Sequence, residues 1–140
     1  MSPSPVEIVS SQVVPIAVDQ DVVRVRQAMR GVAVNAGLSL VDQTKVVTAA
    51  SELARNTLIY GGGGQAVIEL VRGGGRTGVR VGFHDEGPGI ADINLALTDG
   101  YTTGAGLGLG LSGARRLVDE FGLDSAPGAG TRITITKWGR

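Results

Sequence analysis

QAVIELVRGGGRTGVRVGFHDEGPG, residues 65–89, reads as two strands with a sharp reversal between them. QAVIELVR (65–72) and GVRVGFHD (78–85) are rich in β-branched residues, and GGGRT (73–77) supplies the turn of a hairpin. The second strand delivers Asp85 and Glu86 at its end, where Gly87, Pro88 and Gly89 force the chain to turn. An acid at a strand end beside glycines is suited to accept a hydrogen bond from a ligand edge that offers an N–H, with the glycines allowing close approach. The same letters also fit a plain acidic turn. His84 invites a catalytic reading because imidazole shuttles protons near neutral pH. No Ser, Cys or second His stands at triad or metal spacing from it, so a structural imidazole on a strand next to the core is the better reading.

Upstream, MSPSP (residues 1–5) reads as a tail and residues 6–140 as one domain. VEIVSSQVVPIAV has the β-branched content of an edge strand broken at Pro15. From Asp19, read as an N-cap, the residues Val22, Val25, Met29, Val32 and Ala36 recur at helical spacing until Gly37 ends the pattern. Ser39 then caps a longer helix with an inner face of Val46, Val47, Ala50, Leu53, Ala54 and Leu58, which stops at YGGGG. On this helix SELARN places Glu52 and Asn56 four residues apart, roughly 40° from each other on the wheel and off the apolar arc. Taken alone, that pair fits a solvated face.

Downstream, EGPGIADINLALTDGYTTGAGLGLG is polar and glycine-rich at both ends, with at most a short helix at 92–98. A connection of such length inside a domain is usually functional. Its end, TTGAGLGLGLSG (102–113), interleaves glycines with Leu107, Leu109 and Leu111, where a slack linker would carry Ser and other polar residues. It runs into SGARRLVDEFG, read as a helix over 112–121. A glycine-rich loop feeding a helix start exposes backbone N–H groups to an anion. FGLDSAPG and a last strand, TRITITKW, which opens at Thr131 after GAG, complete the chain. The order predicts an α+β fold, a two-layer sandwich with helices on one face of a mixed, mostly antiparallel sheet.

Composition bounds the function. The 140 residues are 42% hydrophobic and 19% charged, as in globular proteins, with 13 basic and 13 acidic residues in balance. Such balance gives no field for non-specific nucleic-acid or membrane binding, so neither is expected as a partner. The absence of cysteine removes disulfides, thiol catalysis and zinc-thiolate sites. No signal peptide or long apolar run is seen, and a cytoplasmic location is expected. There is no G-x-x-x-x-G-K-[ST] loop and no eukaryotic-type kinase set of β3 Lys, H-R-D and D-F-G.

The four places together, Glu52 to Asn56, DEGPG (85–89), GAGLGLGL (104–111) and Thr131 of GAGTRI, resemble the boxes of the GHKL ATPase superfamily in their order along the chain. The chain is more narrowly similar to the small stand-alone serine kinases of bacterial sigma-factor control, the RsbT type, over roughly residues 6–140, including the TKW ending. The resemblance implies a Bergerat-type ATP-binding fold with ATP and Mg²⁺ as cofactors. It implies that Asp85 accepts from the adenine amino group with support from Thr131, and that Gly87 and Gly89 make room for the base. Asn56 would give Mg²⁺ an oxygen ligand. Thr103, Gly104, Ala105, Gly106, Leu107, Gly108, Leu109 and Gly110 would wrap the triphosphate, and Glu52 would act as general base toward a substrate serine. Arg55 would steady phosphates or simply cover the helix. The stretch from Ile90 to Thr103 is short for the family's ATP lid and matches it only in outline. The implied partners are STAS-domain antagonists, either RsbS/RsbR-like or anti-anti-sigma proteins, and a PP2C-type phosphatase that the kinase activates. The alternatives are an RsbW-type kinase that sequesters a sigma factor directly and an ATP-switched binding module without kinase activity. A dinucleotide-binding unit is disfavoured because the glycine loop comes late and follows no clear strand.

Overall fold

The computed structural model describes residues 5–87 and 110–139. The expected short helix at 92–98, Gly89 and residues 103–109 of the glycine loop lie outside them. Strands β1 (Glu7–Ile16), β2 (Gly64–Gly73), β3 (Arg76–Asp85), β4 (Glu120–Ser125) and β5 (Thr131–Trp138) form one sheet in the order β1-β2-β3-β5-β4. Every pair in it is antiparallel, so the sheet is not mixed among the described residues. Helices α1 (Asp19–Asn35), α2 (Leu40–Ile59) and α3 (Gly110–Arg116) share a core with the sheet, which is the expected α+β layering.

The hairpin forms where the sequence places it. Gly73 pairs with Arg76, and the two residues between them, Gly74 and Gly75, both have positive φ (58° and 77°), the backbone of a tight primed turn whose twist suits the strands. The pairing aligns side chains into rows across the sheet. Val14, Ala66, Phe83, Ile133 and Leu123 are successive partners from β1 to β4, and Gln12, Ile68, Val81, Ile135 and Phe121 make the next row. Against these rows pack Val22, Val25, Met29, Val32 and Ala33 of α1 and Val46, Val47, Ala50, Leu53 and Ala54 of α2. These include nearly all the residues that helical spacing assigns to the two inner faces.

Three local readings change. β1 continues through Pro15 to Ile16, because it is an edge strand in which the missing N–H is tolerated. The helix expected over 112–121 ends at Arg116, and residues 120–125 are strand β4 instead. Phe121 and Leu123 keep a two-residue period that faces the core once β5 offers a pairing edge, and this overrides the helical spacing of Leu117 and Phe121. Finally, Ser39 caps α2 as expected, its Oγ accepting from the Asp42 N–H (3.1 Å), but Asp19 does not cap α1. The capping position is Val18, and Asp21 two residues inside the helix reaches back to accept the N–H groups of Ala17 (2.8 Å) and Val18 (3.1 Å).

At the far end of the sheet Lys137 is buried, with its Nζ 3.3 Å from Asp119 and 3.7 Å from Asp42. It joins β5 to the start of α2 and to the turn before β4, and Asp119 also accepts the Trp138 N–H (2.8 Å). A buried cation held between two acids resists sliding of α2 along the sheet, since removing a partner strands a charge.

The Ala17 N–H, then the Val18 N–H, hold the Asp21 carboxyl below the usual carboxylate range, with Arg24 assisting. A lowered native value means that the unfolded chain takes up the proton first as pH falls. Its stabilisation is therefore complete above about pH 4 and is lost below it, through the lowered native value. Asp21→Asn is expected to lower the unfolding midpoint at neutral pH, with the gap to wild type closing as thermal midpoints are followed into the acid range. A gap that stays constant with pH contradicts the assignment.

Candidate active site

Two residues beyond the Phe83 row, the sheet's core-facing side changes character. The partners there are Ile16, Gly64, Asp85, Thr131 and Ser125, so the apolar floor ends in a polar row. Alternation along β3 turns Asp85 to the helix side with Phe83 and Val81, and puts His84 on the opposite face, away from the site. Asp85 is only 7% exposed. One oxygen, Oδ1, accepts the Gly87 N–H (2.9 Å), which fixes the carboxylate at the bend where β3 ends.

Glycines surround this acid for steric reasons. A Cβ on Gly61 would lie 2.6 Å from the Asp85 Cβ, and one on Gly87 would lie 2.8 Å from the Gly61 Cα. A Cβ on Gly64 would strike the His84 carbonyl oxygen and one on Gly130 the Asp85 carbonyl oxygen. Gly130 also has φ of 78°, which disfavours any side chain. Thr131 stands directly across from Asp85, its Oγ1 2.9 Å from the Ser125 Oγ. Ser125 donates its hydroxyl hydrogen to the Gly130 carbonyl (2.8 Å), so Thr131 is the donor in the hydroxyl pair and keeps acceptor capacity on its oxygen.

Helix α2 brings the second group. Glu52 is also 7% exposed, and its Oε1 accepts the N–H of Gly110 (3.2 Å), where α3 begins. Asn56 lies one turn further, about 6 Å along the axis, and is half-buried. Its backbone carbonyl accepts from Tyr60 (2.9 Å) and Gly61 (3.3 Å), which ends the helix against the glycine that touches Asp85. Leu111, the first residue after Gly110, is buried in the core and anchors the described end of the glycine loop. Thr57 is buried too, bonding its hydroxyl to the Leu53 carbonyl (2.9 Å) and turning its methyl toward Gly64. Arg55 points to solvent.

Of the candidate residues, Asp85, Gly87 and Thr131 thus meet at the sheet end, Glu52 and Gly110 meet between α2 and α3, and Asn56 joins the two groups through Gly61. Gly89, Thr103, Gly104, Ala105, Gly106, Leu107, Gly108 and Leu109 lie outside the described residues. Sequence reasoning missed Gly61, Gly64, Gly130 and Ser125. The signal was present in YGGGG, since a helix stop needs one glycine and this stretch spends four.

An antiparallel α+β sandwich with a buried acid at a sheet end, ringed by glycines and flanked by a helix carrying a second buried acid, has the architecture of a GHKL-type ATPase. The family model for histidine kinase-, DNA gyrase B-, and HSP90-like ATPases matches residues 41–138, and the chain belongs to that family. The chain is 47% identical over 125 residues to the serine/threonine-protein kinase RsbT of Bacillus subtilis (strain 168), which covers 89% of this chain and 94% of that protein. It is 31% identical over 116 residues to an anti-sigma F factor of Clostridium novyi (strain NT), covering 76% of this chain and 81% of the relative. Among solved structures, the RsbU and RsbW domains of a Mycobacterium tuberculosis protein superpose with a TM-score of 0.64 at 21% identity, over 94% of this chain and 33% of that longer one. This last likeness speaks for the fold.

If Gly61 is glycine because the Asp85 side chain fills its Cβ position, Gly61→Ala must displace the acid at a cost of about 1–3 kcal/mol. Gly61→Ala is expected to weaken binding of a fluorescent ATP analogue by roughly 5- to 150-fold, in line with that cost. Gly82→Ala, whose Cβ would meet only the Thr134 hydroxyl at 3.8 Å, is expected to bind as wild type. Equal binding by both variants contradicts the steric account.

Proposed function

We propose that this chain is an ATP-dependent protein-serine kinase of a partner-switching module, one kinase domain over residues 6–140. It transfers the γ-phosphoryl group of ATP to a serine of a STAS-domain antagonist and engages a PP2C-type phosphatase once its first partners are phosphorylated. The observation that carries the reading is the buried carboxylate of Glu52, held at the Gly110 N–H where the glycine loop enters α3. A pure nucleotide binder needs no buried base beside its phosphate loop. The 47% identity to a serine/threonine-protein kinase along nearly the whole chain supports the same class.

The residues take distinct roles in this reading. Asp85 accepts from the adenine amino group with the oxygen that the Gly87 N–H does not occupy, and Thr131 supports it from the next strand. Gly61, Gly87 and Gly130 keep the approach to that acid free of side chains. In this reading the triphosphate takes backbone N–H groups from residues 103–109, while the Gly110 N–H stays with Glu52. Mg²⁺ takes few protein ligands when phosphates and waters complete its octahedron, and the single amide oxygen of Asn56 fits that need. No cluster of three or more acids or histidines exists among the described residues to hold a metal by itself. When bound, MgATP supplies the phosphoryl group and much of the charge neutralisation on which such transfers depend. Glu52 takes the proton of the substrate hydroxyl, a contribution of about 10²–10⁴ in rate.

No helix among the described residues is long and apolar enough to cross a membrane. A cytoplasmic location is part of the proposal. The 31% identity to anti-sigma F factors supports a second reading, in which the kinase also sequesters a sigma factor directly. Co-purification with a sigma factor in place of a phosphatase would favour it.

Transfer of ³²P from ATP to a STAS-domain partner tests the main reading. Wild type is expected to give phosphoserine, and absence of phosphate on any STAS partner despite ATP binding overturns it. Asp85→Asn is expected to abolish nucleotide binding. Glu52→Gln keeps an acceptor for the Gly110 N–H but no base, and is expected to bind ATP normally while transfer falls by about 10²–10⁴. Equal loss of binding in both variants contradicts the assigned roles.

A further inference from the structure

At the outer end of the polar row, two hydroxyls form a chain whose direction is fixed. Ser125 of β4 pairs with Thr131 of β5, closing the turn over residues 126–130. A hydroxyl owns one hydrogen and two lone pairs. The Ser125 hydrogen goes to the Gly130 carbonyl oxygen (2.8 Å), which can only accept, so the 2.9 Å contact between the two hydroxyls uses the Thr131 hydrogen. The anchor of this chain is backbone. Gly130 sits at φ 78°, and a Cβ there would strike the Asp85 carbonyl oxygen. Through two successive hydrogen bonds, that backbone sets where the Thr131 hydrogen points: toward β4 and away from Asp85.

Thr131 stands across from Asp85 in the β3–β5 register, on the same face of the sheet, where directly opposed Cβ atoms lie about 4.5–5.5 Å apart. A carboxylate only accepts, and one Asp85 oxygen is already taken by the Gly87 N–H. With its hydrogen turned away, Thr131 likewise offers only lone pairs. On the other side of Asp85 the row continues with Gly64 and Ile16, which carry no polar side chain. The row therefore presents two acceptors side by side, and neither of its hydroxyls has a hydrogen left to give.

We propose that Ser125 is a specificity-determining positioning residue: by taking the Thr131 hydrogen, it makes the polar row reject a carbonyl where it accepts an amino group. The inference rests on the reading above that Asp85 faces an amino group of the bound base. An exocyclic amino group has two hydrogens, one for each acceptor, whereas a carbonyl oxygen in the same place meets lone pairs from both residues. A threonine hydroxyl free to rotate would turn its hydrogen to that carbonyl and recover a hydrogen bond, which relaxes the discrimination. Ser125 touches no ligand in this account and acts only through Thr131. A purely structural Ser125 would support the β4–β5 turn and affect every nucleotide alike.

The test is calorimetric binding of MgATP and MgITP to the full chain, for wild type, Ser125→Ala, Ser125→Thr, and Ser125→Ala combined with Thr131→Val. Wild type is expected to prefer ATP by about 100-fold. Ser125→Ala is expected to cut that preference about tenfold, chiefly through tighter binding of ITP, because the released Thr131 hydroxyl donates to the carbonyl. Ser125→Thr keeps a hydroxyl and is expected to restore the wild-type preference. Adding Thr131→Val to Ser125→Ala is expected to abolish the gain for ITP. The proposal is overturned if Ser125→Ala keeps the wild-type preference, including the case in which both nucleotides weaken alike. It is also overturned if Ser125→Thr behaves as Ser125→Ala, or if the gain for ITP persists without the Thr131 hydroxyl. Equal binding of the two nucleotides by wild type overturns the reading of Asp85 and this inference with it, whereas an unchanged preference in Ser125→Ala overturns the inference alone.

Discussion

Burying a carboxylate costs several kcal/mol unless its oxygens are met, and the arrangement around Asp85 follows from meeting that demand. β3 carries Val79, Val81 and Phe83 into the core and then, in the same two-residue step, Asp85. The acid cannot turn outward without flipping the strand's whole apolar set to solvent. Its surroundings are shaped instead: one oxygen takes the Gly87 N–H, Thr131 and Ser125 extend a polar row beside it, and Gly61 gives up a side chain to leave it space. In the proposed reading, the second oxygen is the one that accepts a ligand N–H.

The helix layer is held to this end of the sheet by backbone, and to the other end by charge. Asn56 and Gly61 close α2 beside Asp85, while Lys137 ties the beginning of α2 to β5 through Asp42 and Asp119. With both ends fixed, Glu52 has a defined position along α2, and its hydrogen bond to Gly110 places the start of α3 relative to the sheet. Glu52 is thereby connected to the described end of the glycine-rich stretch at Gly110.

Much of this was legible in the sequence because the deciding signals were local. The hairpin followed from glycines between two β-branched runs, the start of α2 from Ser39, and the inner faces of α1 and α2 from spacing alone. The box residues Glu52, Asn56, Asp85 and Thr131 could be selected by resemblance, but spacing joined only Glu52 to Asn56, because Asp85 meets Thr131 through strand register and α2 meets the sheet through packing. What was not legible depended on partners distant in sequence. Phe121 and Leu123 become a strand only because β5 pairs with them, and Asp21 rather than Asp19 secures α1 because it reaches backbone before the helix. Gly61, Gly64 and Gly130 looked like ordinary punctuation until the carboxylate they make room for was in place.

The central claim is that the buried Asp85 carboxylate reads an amino group on the bound base. ATP and ITP differ where adenine carries that donor and hypoxanthine carries a carbonyl oxygen, so their dissociation constants, measured by calorimetry on the wild-type chain, report directly on it. The account predicts that ATP binds about 100-fold more tightly, since ITP leaves a buried carboxylate facing an acceptor. Equal affinity for the two nucleotides would contradict it.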